Sequence, residues 1–173
     1  MLWFSPEKRG VIDFSDLHVS RSLEKEQKRQ EYTFTLDKNF EQVIEACQSQ
    51  PRKNQQGTWI VPELKNAYVK FHEAGYAHSV ECWRGGDLVG GIYGVFVEGV
   101  FSGESMFHEL PNVSKLAFLF LVKHLQSRGL DWMDIQMITP VTENLGGKYI
   151  SREEFLQRIE KSQHRWQKQR ILF

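Results

Sequence analysis

The chain has 173 residues, 40% hydrophobic and 13% aromatic, with 22 basic and 22 acidic side chains that cancel. That is the length of one domain with a sizeable core, which excludes wholesale disorder, and the balanced charge excludes a uniformly basic nucleic-acid binder though not local basic patches. Two cysteines without CxxC spacing (Cys47 and Cys82), no signal-peptide pattern, and no apolar run near the roughly 18 residues of a spanning helix predict a reduced, cytoplasmic setting away from membranes.

Residues 1–19 mix aromatics with turn formers (Phe4-Ser5-Pro6, Arg9-Gly10) and are expected to be an irregular arm. Ser20 is placed to cap a short charged helix from Arg21 to Gln30. Residues 1–31 thus precede a domain expected over 32–173. Tyr32, Phe34 and Leu36 alternate as in a strand, and Phe40, Val43, Ile44 and Cys47 follow the i, i+3, i+4, i+7 spacing of an amphipathic helix over 39–49. Gln50–Gly57 is polar and reads as an exposed loop. Pro62 opens a second helix, with Leu64, Tyr68 and Phe71 expected inward and Gly75 as its stop.

Three strands are expected at 77–84, 88–97 and 100–106, joined by Gly85-Gly86-Asp87 and Glu98-Gly99. An apolar helix over 113–128, a strand over 132–138, a glycine-containing loop and a basic terminal helix opened by Ser151-x-x-Glu154 complete the chain. This order predicts an α/β (α+β) architecture in which helices flank a mixed sheet, as in the acetyltransferase-like (GNAT-like) fold.

Several chemistries fail on spacing. The seven glycines between Gly85 and Gly103 fit neither a Walker loop nor GxGxxG, and Gly103-Glu104-Ser105-Met106-Phe107 lacks the second glycine of a nucleophile elbow. His72-Glu73 has no second histidine at zinc-protease spacing, so no metal site is expected. Gln126-Ser127-Arg128-Gly129-Leu130-Asp131 sits at a helix end, where the dipole repels phosphate, so acetyl-CoA is not expected.

Polar groups set among apolar ones remain. Glu104 lies between Phe101 and Met106-Phe107, and Asp134 and Gln136 share a face of a regular strand. An unpaired buried polar group costs roughly 1–3 kcal/mol, so these need partners. A structural hydrogen-bond network is the alternative to chemistry there. Trp59 stands at a loop-to-helix junction, as a core anchor or a stacking surface. Arg21, Lys25 and Lys28 share one helical face, and Arg158–Arg170 carries a second basic patch; either is a solvated face or a phosphate contact.

Ordered blocks run nearly end to end: Leu2-Trp3-Phe4-Ser5-Pro6, Leu17-His18-Val19-Ser20-Arg21-Ser22, Gly57-Thr58-Trp59-Ile60, Ala77-His78-Ser79-Val80-Glu81-Cys82-Trp83 and Leu88-Val89-Gly90-Gly91. They continue as Phe101-Ser102-Gly103-Glu104-Ser105-Met106-Phe107, Asn112-Val113-Ser114-Lys115 and Asp134-Ile135-Gln136. In these the chain resembles the bacterial leucyl/phenylalanyl-tRNA–protein transferase family, in a short form without the family's usual N-terminal subdomain. The resemblance implies transfer of Leu, Phe or Met from a charged tRNA to the N-terminal Arg or Lys of a protein, marking it for degradation by the N-degron pathway. Aminoacyl-tRNA is then a co-substrate, no cofactor is expected, the protein or peptide is the acceptor, and a monomer is expected.

By the same resemblance Asp134, Gln136 and Glu104 act at the acceptor amine, with Gln136 an orienting acceptor polarised by Asp134. Ile92, Phe101, Gly103, Leu121, Leu125 and Met133 wall the aminoacyl pocket, Ser127 stands nearby, and Trp59 meets the aminoacyl-adenosine end. Arg21, Lys25 and Lys28 meet the tRNA acceptor stem. Two rivals stand beside this reading: a shortened relative using another aminoacyl-tRNA or amine acceptor, and a non-catalytic degron- or tRNA-binding module.

Overall fold

The computed structural model describes residues 5–51, 57–169 and 172–173. Its elements in chain order are β1 (Lys8–Asp13), a short 3-10 turn (Phe14–Asp16), α1 (Arg21–Lys28), β2 (Thr33–Leu36), α2 (Phe40–Ser49), α3 (Pro62–Glu73) and β3 (Ala77–Arg84). There follow β4 (Asp87–Val97), β5 (Val100–His108), α4 (Val113–Ser127), β6 (Trp132–Gln136), α5 (Pro140–Asn144), β7 (Lys148–Ser151) and α6 (Arg152–Gln169). Expectations for Leu2-Trp3-Phe4, for residues 52–56 of the polar loop and for Arg170 lie outside the described residues.

The elements fall into two units. One comprises Ser20–Val95 and Glu104–Lys123. In it β2, β3 and β4 lie side by side, followed by the second half of β5. β2 runs antiparallel to β3 with Thr33 opposite Trp83 and Leu36 opposite Val80, and β3 runs antiparallel to β4. Gly85 and Gly86 both take positive φ, 60° and 97°, the turn that suits the right-handed twist of a two-residue hairpin.

The spacing expected of α2 is realised. Phe40, Val43, Ile44 and Cys47 are at most 3% exposed and form a core with Ile60, Ala77, Tyr93 and Phe107. Gly91 lies against that core because a Cβ there would meet the Val80 carbonyl oxygen at 2.8 Å and the Phe107 ring at 3.0 Å. The side chains of Ser20 and Asn39 cap α1 and α2 through the backbone N–H groups of Leu23 and Gln42. α3 differs from expectation, for none of its residues is fully buried. Tyr68 packs edge-on to Tyr93, but Phe71 stays 44% exposed, with Tyr76 laid over its ring at 5.3 Å after Gly75 turns the chain.

The other unit comprises the residues up to Val19, Phe96–Gly103 and those from His124 onward. Its strand order is the first half of β5, then β6, β1 and β7. β6 runs parallel to β5 with Asp134 opposite Ser102, and β1 runs antiparallel to both β6 and β7. Residues 8–13, expected to be irregular, are therefore a strand with neighbours on both sides. Arg9-Gly10 has turn-like composition, but Val11 and Ile12 are wholly buried. α5 and β7 were likewise unanticipated: Thr139 and Thr142 form a reciprocal cap for α5 inside what read as a loop.

Ser151 caps α6 through the Glu154 N–H at 3.1 Å, as its spacing predicts, while the Glu154 carboxylate turns to Arg158 at 2.7 Å. Two cations of the terminal basic patch are engaged within the fold, Arg158 on Asp13 at 2.5 Å and Arg165 on Asp131 at 3.1 Å. Burial pushes the Asp13 carboxyl up, but hydrogen bonds and charge from Arg158 and Lys148 outweigh it and hold the group below its ordinary value. Among the described residues no helix is long and apolar enough to cross a membrane.

Candidate active site

β6 begins with Trp132 and Met133, both buried, and then places a carboxylate, Asp134, at 1% exposure. Such a group needs partners, and four donors supply them. Arg9 grips it with two parallel hydrogen bonds, Nε to Oδ1 at 2.9 Å and Nη2 to Oδ2 at 2.8 Å. The Ser102 hydroxyl donates to Oδ2 at 2.9 Å, and the Gln136 backbone N–H donates to Oδ1 at 2.9 Å. Each oxygen thus accepts twice, which fills the roughly four lone-pair directions a carboxylate offers.

The strand breaks its regular alternation at this point. Gly10 of β1 faces Gln136 while Val11 faces Asp134, so Ile135 is an extra residue on β6. Gln136 itself takes φ 64°, and the Met137 N–H closes onto the Ile135 carbonyl at 2.7 Å. A positive central φ with an i to i+2 hydrogen bond is the rarer, strained form of γ-turn. Gly10 permits it, since a Cβ there would stand 3.0 Å from the Met137 carbonyl carbon. The strand accordingly ends at Gln136 rather than at residue 138.

Asp134 and Gln136 are therefore brought together, but not as expected. Asp134 accepts from the main chain of Gln136, while the Gln136 side-chain Nε2 donates to the Gly103 carbonyl at 3.4 Å. The carboxylate holds the backbone turn that aims the amide. Phe101 and Met133 are fully buried in the same unit, and a Cβ on Gly103 would meet the Met133 methyl at 3.2 Å. Leu125 of α4 is also wholly buried, whereas Ser127 at the end of α4 is exposed and donates to the His124 carbonyl at 2.7 Å.

In the other unit, half-buried Glu104 meets Tyr68. Burial pushes the Tyr68 phenol far above its ordinary value, and the charge of Glu104 and the hydrogen bond it accepts push it further. Tyr68 is thereby held protonated as a donor to Glu104. Trp59, 38% exposed, stands edge-on to the same Tyr68 with ring centroids 6.3 Å apart. Ile92 and Leu121 are buried in this unit, and Arg21, Lys25 and Lys28 are exposed along α1, opposite its one buried residue, Leu23. Among the described residues no group of three His, Cys, Asp or Glu side chains could hold a metal ion.

Three partners escaped the sequence reading. In sequence terms Arg9 belongs to a stretch of turn formers, Ser102 to an apolar strand and Tyr68 to the inward face of a helix. The adjacent β-branched pair Val11-Ile12 is the local signal that the sequence offers for β1.

The profile of the leucyl/phenylalanyl-tRNA protein transferases matches residues 11–160 of this chain, with the site residues inside that span apart from Arg9 and Gly10. The chain belongs to that family. It is 45% identical over 156 residues to the leucyl/phenylalanyl-tRNA–protein transferase of Shewanella halifaxensis, covering 90% of this chain and 66% of the relative. With the enzyme of the same name from Syntrophotalea carbinolica it shares 47% identity over 160 residues, covering 92% and 70%. The chain thus spans about two thirds of the length of these curated transferases.

Solved structures bear on the fold alone. L-PGS from Bacillus licheniformis superposes with TM-score 0.53 at 16% identity, over 79% of this chain and 48% of that one. A GCN5-related N-acetyltransferase from Kribbella flavida gives 0.51 at 11% identity, over 85% and 54%. The acetyltransferase-like, mixed α/β architecture expected of this transferase-family chain is the one it has.

Proposed function

We propose that this chain is an aminoacyltransferase that moves Leu, Phe or Met from a charged tRNA to the N-terminal Arg or Lys of a protein, working in the cytoplasm as a monomer and without acetyl-CoA or another cofactor. What supports the reading is family membership together with one observation: a buried carboxylate with every acceptor direction filled, holding Gln136 in a strained turn.

The donor ester is already activated, so the enzyme's work is positioning and proton handling. An acceptor α-ammonium has an ordinary pKa of about 8 and must lose a proton before it attacks. With four donors already on it, Asp134 has no direction left for a substrate proton, and its role is to orient. Gln136 is too weak a base to take that proton and serves by aligning the amine; Glu104, held by Tyr68 in the other unit, is proposed as a further catalytic carboxylate. The ammonium gives its first proton to solvent; attack by the free amine then forms the amide bond and breaks the ester C–O bond, and the amine's remaining surplus proton ends on the departing 3′-oxygen. In one unit the buried apolar groups Phe101, Leu125 and Met133, and in the other Ile92 and Leu121 with Trp59, are each proposed to favour unbranched and aromatic donors.

Labelled leucine and phenylalanine on tRNA, offered with peptides that begin with Arg, Lys or an acetylated Arg, test the reading. Label is expected on the first two peptides and not on the third. A folded chain that transfers to none of them overturns it. The proposed role of α1 has its own measurement: Arg21→Gln, Lys25→Gln and Lys28→Gln combined are expected to reduce the slope of log affinity for tRNA against log salt by about 2 to 3, since each phosphate contact contributes just under one. The three side chains are exposed, so the unfolding midpoint is expected to stay put.

A further inference from the structure

The geometry points to Arg9 as a positioning residue for the transfer reaction, holding Gln136 in its reactive orientation through Asp134 without itself touching substrate. This rests on the reading above that Gln136 aligns the acceptor amine. Three observations converge. The guanidinium meets both oxygens of Asp134 at 2.9 and 2.8 Å, the two-point fork that a planar guanidinium makes with a carboxylate and an ammonium cannot. The same Asp134 Oδ1 that takes Arg9 Nε also takes the Gln136 N–H, so the orientation of the carboxylate and the strained turn at φ 64° are one device. Arg9 also lies on the strand that carries Gly10, the residue whose missing Cβ lets the Met137 backbone approach and the turn close.

The guanidinium is itself fixed from behind. Its carbon lies 5.4 Å from the centre of the Phe155 ring, on the helix that packs against β1, and its side chain is only 25% exposed. A residue needed only to neutralise Asp134 could be any cation. One needed to set the direction of both carboxylate oxygens must keep the fork. Strained conformations persist only where the surroundings over-determine them, and Arg9 is the member of this set that bonds both oxygens of Asp134, so its loss removes two of the four bonds that fix the carboxylate.

Arg9→Lys and Arg9→Met separate these roles. Arg9→Lys keeps the charge and is expected to fold with an unfolding midpoint near that of the parent, while its kcat for transfer falls about 100-fold and KM for charged tRNA stays unchanged, the pattern of a misplaced reacting group. Hydrogen exchange at the Gln136 amide is expected to accelerate by about tenfold or more in Arg9→Met, with exchange in α2 and β3 unchanged. Exchange does not depend on transfer, so a chain that transfers nothing overturns the proposed function while the Gln136 amide still decides the role of Arg9. The positioning role is overturned if Arg9→Lys transfers at the parental kcat, if its loss lies wholly in KM, or if the Gln136 amide in Arg9→Met exchanges at the parental rate.

Discussion

Asp134→Ala is expected to lower transfer by roughly a thousandfold in the fraction that remains folded, and Asp134→Asn by roughly tenfold to a hundredfold, because the two substitutions undo different halves of one device. Alanine removes the acceptor for the Gln136 N–H and both acceptors for Arg9, so the turn at residue 136 loses its tether and a partly buried guanidinium loses its partner. Asparagine keeps one oxygen. If that oxygen takes the Oδ1 place, it retains the Gln136 N–H and Arg9 Nε, and the new amide nitrogen meets Ser102, whose hydroxyl can turn to accept. Only Arg9 Nη2 then faces a donor.

Stability moves in the same order. Breaking a fully buried pair by removing one partner costs about 3–5 kcal/mol, and because Arg9 keeps a quarter of its surface in water the expected cost for Asp134→Ala is lower, about 1–3 kcal/mol. Single-turnover transfer, read beside a denaturant melt, separates the two effects. If both variants lost activity only in proportion to their unfolded fraction, Asp134 would be a structural residue and the orienting role would be wrong.

The local periodicities in the chain were legible where local patterns decide the outcome. α2 needed only its own spacing, since Phe40, Val43, Ile44 and Cys47 meet one core, and the two hairpin turns were marked by Gly85-Gly86 and by Glu98-Gly99. β1 was not legible because its stability comes from β6 and β7, strands far along the chain, while its own residues include a glycine that imitates a turn. β7 failed for the same reason, being a four-residue strand after Gly146-Gly147 with meaning only beside β1. At the site, Asp134 and Gln136 declared themselves as polar groups in an apolar strand. Their bond through the main chain did not, because period-two alternation assumes an unbroken strand and Ile135 is an extra residue. Arg9 lies 125 residues from Asp134, and no spacing rule reaches that far.

Glu81 is the carboxylate that the sequence concealed, standing between Val80 and Cys82 in β3 as if it were the polar side of an alternating strand. It is 0% exposed. The hydroxyls of Thr35 and Ser79 donate to it at 2.5 Å each, and the backbone N–H groups of Lys38 and Asn39 at 3.3 and 3.4 Å, just before α2 begins. One side chain thereby ties β2 and β3 to the start of α2, the helix whose Phe40, Val43, Ile44 and Cys47 pack in one cluster with Ile60, Ala77, Tyr93 and Phe107. Glu81→Ala is expected to cost about 3–5 kcal/mol, through two stranded backbone donors and the cavity left behind. Glu81→Gln is expected to cost about 1–2 kcal/mol, since the one hydroxyl that meets the new amide nitrogen can turn to accept from it, the other hydroxyl still donates to the remaining oxygen, and a single backbone N–H is left facing a donor. The contrast with Asp134 is the informative part. Both carboxylates are buried and both accept four hydrogen bonds, yet Glu81 fixes regular elements whereas Asp134 fixes a strained turn. Glu81 variants should therefore lower the unfolding midpoint and leave the kcat of the folded fraction unchanged. A Glu81→Ala chain that melted like the parent but failed to transfer would place this second carboxylate in the chemistry instead.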